Sequence, residues 1–172
     1  GTTRYCGGTP ADSPWRFGWT RFEPESDWNL RVVPVDSAPE SWPPSGSNRC
    51  PPSCPGPPAE WEFSRAVATM DTNRLDLTWY RPPRSEIPQA NLLTEARGIV
   101  KLQPGAYRLR SIVDDAVIVF LDGTPIIEDC NPGESHVKEA IFTADGRSHG
   151  LRVVHLQKDG WYELRLDIEK VP

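Results

Sequence analysis

Two adjacent carboxylates, Asp114 and Asp115, are the residues of this chain whose types and spacing are best suited to chemistry. Neighbouring carboxylates repel each other, at close range by about 1 kcal/mol even in high dielectric, so a cation or several backbone N–H groups would make the pair easier to hold. Calcium, a hard ion that takes about 6 to 8 oxygen ligands, fits carboxylates together with carbonyls and water. The alternative is that the side chains point apart, one capping a turn and the other facing solvent.

Signs of a catalytic site are weaker. The three histidines, His136, His149 and His155, share no metal-ligand spacing such as HExxH, and the chain has no Gly-x-Ser-x-Gly elbow or phosphate-binding glycine loop. A glycosidase pair of carboxylates is defined in space and not in sequence, so that alternative stays open. His155 lies in the apolar run LRVVHL, and we expect a half-buried strand residue hydrogen-bonded to a neighbour rather than a catalytic base. We expect no enzyme.

The segments that flank the aspartate pair are patterned as β-strands. Residues 106–113 alternate apolar and polar side chains, which is typical of a half-buried strand. Residues 117–121 are apolar on both faces, as in a strand that is covered on both sides. Asp122 and Gly123 form a hairpin dipeptide, and residues 124–127 return as the next strand. The pattern predicts three consecutive antiparallel strands.

The same period-2 alternation recurs along the chain. It is found in residues 15–20, 61–67, 75–80 and 162–169, whereas residues 151–156 form an apolar run interrupted by Arg152 and His155. Helical periodicity is hard to find; the best candidate, residues 88–97, is short and could equally be an irregular connection. The patterns therefore predict an all-β, antiparallel fold.

Length and charge narrow the class of protein. With 172 residues, 37% of them hydrophobic, the chain fits one domain of roughly 100 to 200 residues, and we expect residues 1–172 to form it. A net charge of −5, without a basic cluster, argues against nucleic acid as a partner. No apolar run reaches the roughly 18 residues of a membrane span, so we expect neither membrane insertion nor a cleavable leader.

Four cysteines scattered among glycine- and proline-rich segments predict two disulfides and an oxidising, extracytoplasmic location, secreted or at the cell surface. Cys50 and Cys54, in CPPSC, are close enough to bridge locally, which would leave Cys6 to pair with Cys130. This is one of three pairings. A four-cysteine zinc site is the alternative, but the chain has only one close pair and prolines separate its members.

Residues 37–59 are too rich in proline for a helix or a central strand, and long for a connection, so we predict a surface loop. Trp42 in this loop is either an exposed platform that stacks on a sugar face or an anchor that holds the loop on the core. We favour the anchor, because a long loop needs apolar contacts to be ordered.

Several motifs occur in a characteristic order: RLDLTWYRPP, ARGIVKLQPGAYRLRSIVDDAVIVFLDGTPII, LRVVHL and WYELRLDI. Their arrangement resembles the PA14 domain of bacterial toxins, yeast adhesins and glycosidase insertions, most strongly from about Arg97 onward. Gly105 and Tyr107 match a glycine and a tyrosine that enter the strand before an aspartate pair, and Asp122 with Gly123 matches a following dipeptide. The resemblance implies an antiparallel β-sandwich or barrel.

In lectin-like members of that family the aspartate pair, often joined by a cis peptide, chelates calcium that in turn holds sugar hydroxyls. A second loop before the last strand completes the site, and its match here is the stretch QKDGW. The resemblance implies that Gln157 or Asp159 supplies an oxygen ligand. It also implies that Lys158 and Trp161 lie beside a bound ligand.

Two departures from the family pattern concern the site. Ala116 stands where the family usually has glycine, and the region of Cys130 replaces a common tryptophan. We expect a non-catalytic extracellular module that binds carbohydrate, with calcium as its cofactor. The first alternative is a structural or sensor ectodomain that contacts a protein partner without metal, which Ala116 and the proline-rich loop favour. The second is an accessory domain or enzyme of glycan metabolism.

Overall fold

The structure is a computed structural model that describes residues 9–10, 27–34, 65–129 and 133–172. The described residues form β-strands and no helix. The strands are β1 (Thr9–Pro10), β2 (Trp28–Pro34), β3 (Ala68–Thr72), β4 (Asp76–Trp79), β5 (Leu92–Lys101), β6 (Gly105–Asp114), β7 (Ala116–Leu121), β8 (Thr124–Asp129), β9 (His136–Ala144), β10 (Ser148–Gln157) and β11 (Tyr162–Lys170).

The strands form two antiparallel sheets. The five-stranded sheet has the order β1-β9-β6-β11-β4, and the six-stranded sheet has the order β3-β2-β5-β10-β7-β8. Among the described strands no ladder joins one sheet to the other, so the fold is a sandwich and not a closed barrel. This confirms the predicted all-β, antiparallel architecture.

The main core lies between the sheets, because alternation along each strand sends every second side chain inward. Leu109, Val113 and Leu164 come from the five-stranded sheet. Val119 and Val153 come from the six-stranded sheet, and all five side chains are fully buried. Burying an aliphatic side chain of this size stabilises the fold by about 1.5–3 kcal/mol relative to exposure.

The predicted hairpin after the aspartates is confirmed. Strands β7 and β8 are joined by Asp122 and Gly123, whose φ angles are +49° and +81°. Two consecutive positive φ angles are those of a type I′ turn, whose twist matches the twist of the strands it connects.

The strands on either side of the aspartate pair do not pair with each other, which corrects one prediction. Strand β6 pairs with β9 and β11, whereas β7 pairs with β8 and β10. Asp114 and Asp115 therefore lie where the chain crosses from one sheet to the other. Period-2 patterning predicts which face of a strand is buried but does not specify its neighbour.

The candidate helix over residues 88–97 is wrong. Its second half belongs to β5, which lies inside the six-stranded sheet between β2 and β10. Five consecutive residues of β5, 92–96, are buried, so a strand covered on both faces hides the alternation that would identify it.

Several expectations fall on residues that the structure does not describe. They are the strand over residues 15–20, the proline-rich loop over residues 37–59 with Trp42, and the pairing of Cys6, Cys50, Cys54 and Cys130. Within the described ranges, none of the chain forms a helix with the length and apolarity that a membrane crossing requires.

Because the type I′ turn holds Gly123 at a positive φ, a side chain at this position should reduce the stability of the fold. A Cβ there would meet no atom within 4 Å, so Gly123→Ala changes only the backbone energy, and we expect a loss of about 1 kcal/mol of stability in urea unfolding. Gly133→Ala is the matched control, because its Cβ also meets nothing and its φ lies outside the left-handed region. Equal stability of the two variants would contradict the role of the turn.

Candidate functional site

The aspartate pair occupies the corner between the sheets. Asp114 is the last residue of β6, Asp115 precedes β7, and the peptide bond between them is cis, as the family resemblance implies. Asp114 is half-buried and Asp115 is only 8% exposed. Both carboxylates are therefore held at the protein surface with restricted access to water.

The loop between β10 and β11, residues 158–161, packs against this corner. The backbone N–H of Asp115 donates to the carbonyl oxygen of Leu156, 3.1 Å away. The backbone N–H of Lys158 donates to Asp115 Oδ2 over 2.7 Å. The structure thus brings the aspartate pair and the stretch QKDGW together.

Buried Gln157 fixes the shape of this β10–β11 loop. Its Nε2 donates to the carbonyl oxygens of Asp159 and Trp161 at 2.7 and 2.9 Å. On the other side, the backbone N–H of Asn91 donates to the carbonyl of Lys158 at 2.8 Å. The Gln157 Oε1 atom is buried and accepts no hydrogen bond from the described residues, which is an unusual state for a buried amide oxygen.

Burial, and several carboxyl groups that lie close together at the corner, raise the pKa values of the aspartate pair. Burial, together with the nearby charges of Asp115 and Glu163, raises the pKa of Asp114 to about 7. Burial also raises the pKa of Asp115, where the N–H of Lys158 acts in the opposite direction and the charge of Asp159 adds to the rise. These carboxylates lack a compensating positive charge strong enough to keep their pKa values ordinary.

His155 connects the corner to the core. Its side chain is fully buried, and its Nε2 lies 2.6 Å from the carbonyl oxygen of Asp114, so the ring is a donor at this nitrogen. Burial lowers the pKa of His155 to about 4, which keeps the ring neutral at physiological pH. The predicted hydrogen bond to a neighbour is present, but the side chain is buried completely rather than by half.

An aromatic layer supports His155 from the opposite sheet. Its ring meets the Tyr162 ring edge-on, with centroids 4.8 Å apart, and Tyr162 stacks on Trp79 at 3.7 Å. The Tyr162 hydroxyl lies 2.9 Å from Thr94 Oγ1 in the six-stranded sheet, which ties the two sheets together. This layer fixes the position of the sheet corner.

A second aromatic pair lies beside the β10–β11 loop. Trp161 is half-buried, and its Nε1 donates to Glu163 Oε2 at 3.1 Å. Tyr80 is 66% exposed and meets Trp161 edge-on, with centroids 4.7 Å apart. Sequence analysis did not identify Tyr80; its only signal is that it follows Trp79 and so points away from the inward face.

The donor set at the corner is of the kind that suits a hard cation. Its polar groups are carboxylate and amide oxygens, the ligands that calcium prefers. Within the described residues, no group of three acidic, histidine or cysteine side chains is arranged to hold a metal by itself. A cation bound to Asp114 and Asp115 would therefore need carbonyl oxygens, water or ligand hydroxyls to complete its shell.

The raised pKa of Asp114 predicts a pH-dependent effect of Asp114→Asn. The folded carboxyl holds its proton up to about pH 7 and the unfolded one only to about 3.8, so Asp114 lowers stability as pH rises between those values. The variant should therefore gain stability relative to the parent protein from pH 4 to pH 7, measured by urea unfolding in EDTA. Asp145→Asn is the control, since hydrogen bonds from Arg147 lower the pKa of Asp145 and this variant should not gain. If the stability difference between Asp114→Asn and the parent protein did not change between pH 4 and pH 7, the raised pKa of Asp114 would be wrong.

Residues 55–169 match the sequence model of the family described as the PA14 domain. No curated protein matches the chain.

Among solved structures, the PA14 domain of the MpAFP antifreeze protein aligns with a TM-score of 0.61 and 13% identity, over 89% of this chain and 88% of that one. The epithelial adhesin 9 A domain from Candida glabrata, in complex with Galβ1-3GlcNAc, aligns at 0.54 and 13%, over 83% and 80%. An anti-sigma factor domain-containing protein from Clostridium clariflavum aligns at 0.61 and 11%, over 84% of this chain but 42% of that one. At these identities the structural matches show the fold alone. The family match covers well over half of the 172 residues, and the chain belongs to the PA14 domain family.

Proposed function

We propose that residues 1–172 form one non-catalytic PA14 domain that binds carbohydrate through calcium, in a secreted or cell-surface protein. Family membership supports this function, and so does the likeness in fold to an adhesin domain solved with Galβ1-3GlcNAc. The observation that carries the proposal is the pair of aspartates held against the β10–β11 loop, at a corner where burial and neighbouring carboxylates make ionisation of Asp114 unfavourable.

The carboxylates of Asp114 and Asp115 would hold the calcium ion. Two nearby groups would add oxygen: Gln157 Oε1, which is buried and accepts no hydrogen bond from the described residues, and exposed Asp159 in the loop. Bound calcium would supply positive charge at the corner and coordination positions for hydroxyl groups of a sugar. The Lys158 N–H holds the Asp115 carboxylate, and the His155 ring holds the backbone carbonyl of Asp114.

The aromatic pair would bind the apolar face of the same sugar. Tyr80 presents most of its ring to solvent, and Trp161 lies next to it on the loop. A flat ring stacks well against the C–H face of a pyranose, and it loses little side-chain entropy on binding. The side chain of Lys158 completes this surface, and Trp42 from the proline-rich loop is a further candidate for it.

A protein-binding ectodomain without metal is the second candidate. The observation that favours it is Ala116, which is fully buried directly after the pair where the family usually has glycine. An accessory domain of a glycan-processing enzyme would bind its glycan through the same surface.

Calcium should stabilise the folded domain. A ligand that binds only the folded state raises stability by RT ln(1 + [L]/Kd), about 2.7 kcal/mol at a hundred times Kd. We therefore expect a thermal melt to shift upward on titration of calcium into EDTA-treated protein. Asp114→Asn and Asp115→Asn should lose the shift and Asp145→Asn should keep it. An unresponsive parent protein would favour the second candidate.

Removal of the aromatic pair should weaken binding to glycans. On a glycan array with calcium, Tyr80→Ala and Trp161→Ala should each reduce affinity by roughly three- to tenfold, because one aromatic contact contributes about 0.5–1.5 kcal/mol. Tyr80→Phe keeps the ring and should bind normally. Ile141→Ala, an exposed position on another strand, is the control for truncation. If the Tyr80→Ala and Trp161→Ala proteins bound glycans as tightly as the parent protein, the aromatic pair would have no role in sugar binding.

A further inference from the structure

The connection from β4 to β5, residues 80–91, borders the candidate site along a second side. Tyr80 begins this β4–β5 loop and meets the Trp161 ring, with centroids 4.7 Å apart. Asn91 ends it, and its backbone N–H donates to the carbonyl oxygen of Lys158 at 2.8 Å. Both ends of the β4–β5 loop therefore lie against the β10–β11 loop, which packs on the aspartate pair.

The β4–β5 loop is long for a connection but is anchored between its ends. Its residues form turns and bends without a helix or a strand. Ile87 is 3% exposed and belongs to the main core, and Arg84 Nη1 donates to the carbonyl oxygen of Thr69 at 3.0 Å. Gln89 Nε2 donates to the carbonyl oxygen of Tyr80 at 3.3 Å. An ordered loop of this length is of the kind that carries binding residues.

Asn91 has an unusual backbone conformation. In the part of the chain that the structure describes, positive φ angles outside glycine occur at Asn91, +54°, and at Asp122. The type I′ turn explains Asp122, whereas Asn91 precedes β5 in a connection that joins different sheets. Asparagine tolerates this conformation better than most residues, but glycine adopts it at lower cost. The backbone alone therefore does not explain why this position carries an amide side chain.

Lys158 connects Asn91 to the aspartate corner. Its N–H donates to Asp115 Oδ2 at 2.7 Å, and its carbonyl oxygen accepts the N–H of Asn91 at 2.8 Å. Because the bonds from N to O within one residue add up to about 4 Å, the backbone nitrogen of Asn91 lies within about 10 Å of the Asp115 carboxylate. The Asn91 side chain is exposed at this position. A sugar bound at the corner would be within its reach.

We propose that the side chain of Asn91 hydrogen-bonds a hydroxyl group of the sugar held at the aspartate corner and thereby determines which sugars the site accepts. This inference rests on the proposed function. An amide has two N–H donors and one carbonyl acceptor, and it carries no charge. It can therefore bond a sugar hydroxyl in either sense without changing the charge that holds the cation.

A fixed backbone makes this amide selective. The N–H of Asn91 is bonded to the β10–β11 loop, and the next residue, Leu92, is fully buried at the start of β5. A group that is already held in place loses little conformational entropy when a ligand binds. Epimeric sugars differ in the direction of one hydroxyl, so an amide in a fixed position bonds one epimer better than the other.

The test is an NMR-monitored titration, with calcium present, of the methyl glycosides of galactose, glucose, mannose and N-acetylglucosamine. Asn91→Gly removes the amide and keeps a residue that suits the positive φ. Its affinity for the glycoside that the parent protein prefers should fall about three- to tenfold, because one hydrogen bond is lost. Its preference for that glycoside over the others should also shrink. The calcium-induced rise of the melting temperature should stay as in the parent protein.

Monodeoxy analogues of the preferred glycoside identify the hydroxyl that Asn91 contacts. Removal of that hydroxyl should weaken binding to the parent protein but not to Asn91→Gly, because the contact is already absent there. A residue that only supports the fold would not give this dependence on a single hydroxyl group.

Two control variants separate contact from conformation. Asn91→Ala also lacks the amide but forces a Cβ into the positive φ region, so it should melt at a lower temperature than Asn91→Gly and bind sugar equally weakly. Asn73→Gly changes an exposed asparagine in the turn before β4, at the opposite end of that strand from Tyr80. It should bind every glycoside as the parent protein does.

The outcomes distinguish this inference from the proposed function. If Asn91→Gly bound all glycosides with the affinity and the order of preference of the parent protein, the inference would be wrong and the proposed function would stand. If Asn91→Gly lost the calcium response, Asn91 would support the cation site and not the sugar, which would also overturn the inference. A parent protein that binds none of the glycosides would overturn the proposed function and the inference together.

Discussion

The hydrogen bond from His155 to the carbonyl oxygen of Asp114 is the contact on which the candidate site depends. It lies between the sheets, where His155 is fully buried and packs against Tyr162, and it holds the point at which β6 ends and the chain crosses to the other sheet. A neutral donor at this depth avoids the cost of a buried charge and gives the Asp114 carbonyl oxygen a hydrogen-bond partner. The aspartate pair is thereby held beside the β10–β11 loop, where Asp115 Oδ2 accepts a hydrogen bond from the N–H of Lys158.

Burial acts on the two ionisable groups at this contact in opposite senses. It lowers the pKa of His155 to about 4 and raises the pKa of Asp114 to about 7, since both groups are less stable when charged in a dry environment. The ring therefore stays a neutral structural donor, whereas the carboxylate carries a penalty that a cation would relieve. Burial therefore accounts for the neutral, structural His155 and supports the proposed role of Asp114 in binding a cation.

The sequence by itself determined the all-β class, the existence of a strand on each side of the pair and the turn at Asp122 and Gly123, because side-chain period and turn chemistry are local properties. Only the tertiary structure decided that β6 and β7 lie in different sheets, that residues 92–101 form a strand inside the six-stranded sheet, and that Tyr80 meets Trp161. Each of these depends on which strands become neighbours, and pairing joins residues far apart in the chain through backbone groups that every sequence shares. The aspartate pair could be identified in the sequence. Its burial and its hydrogen bonds to His155 and to the β10–β11 loop could not.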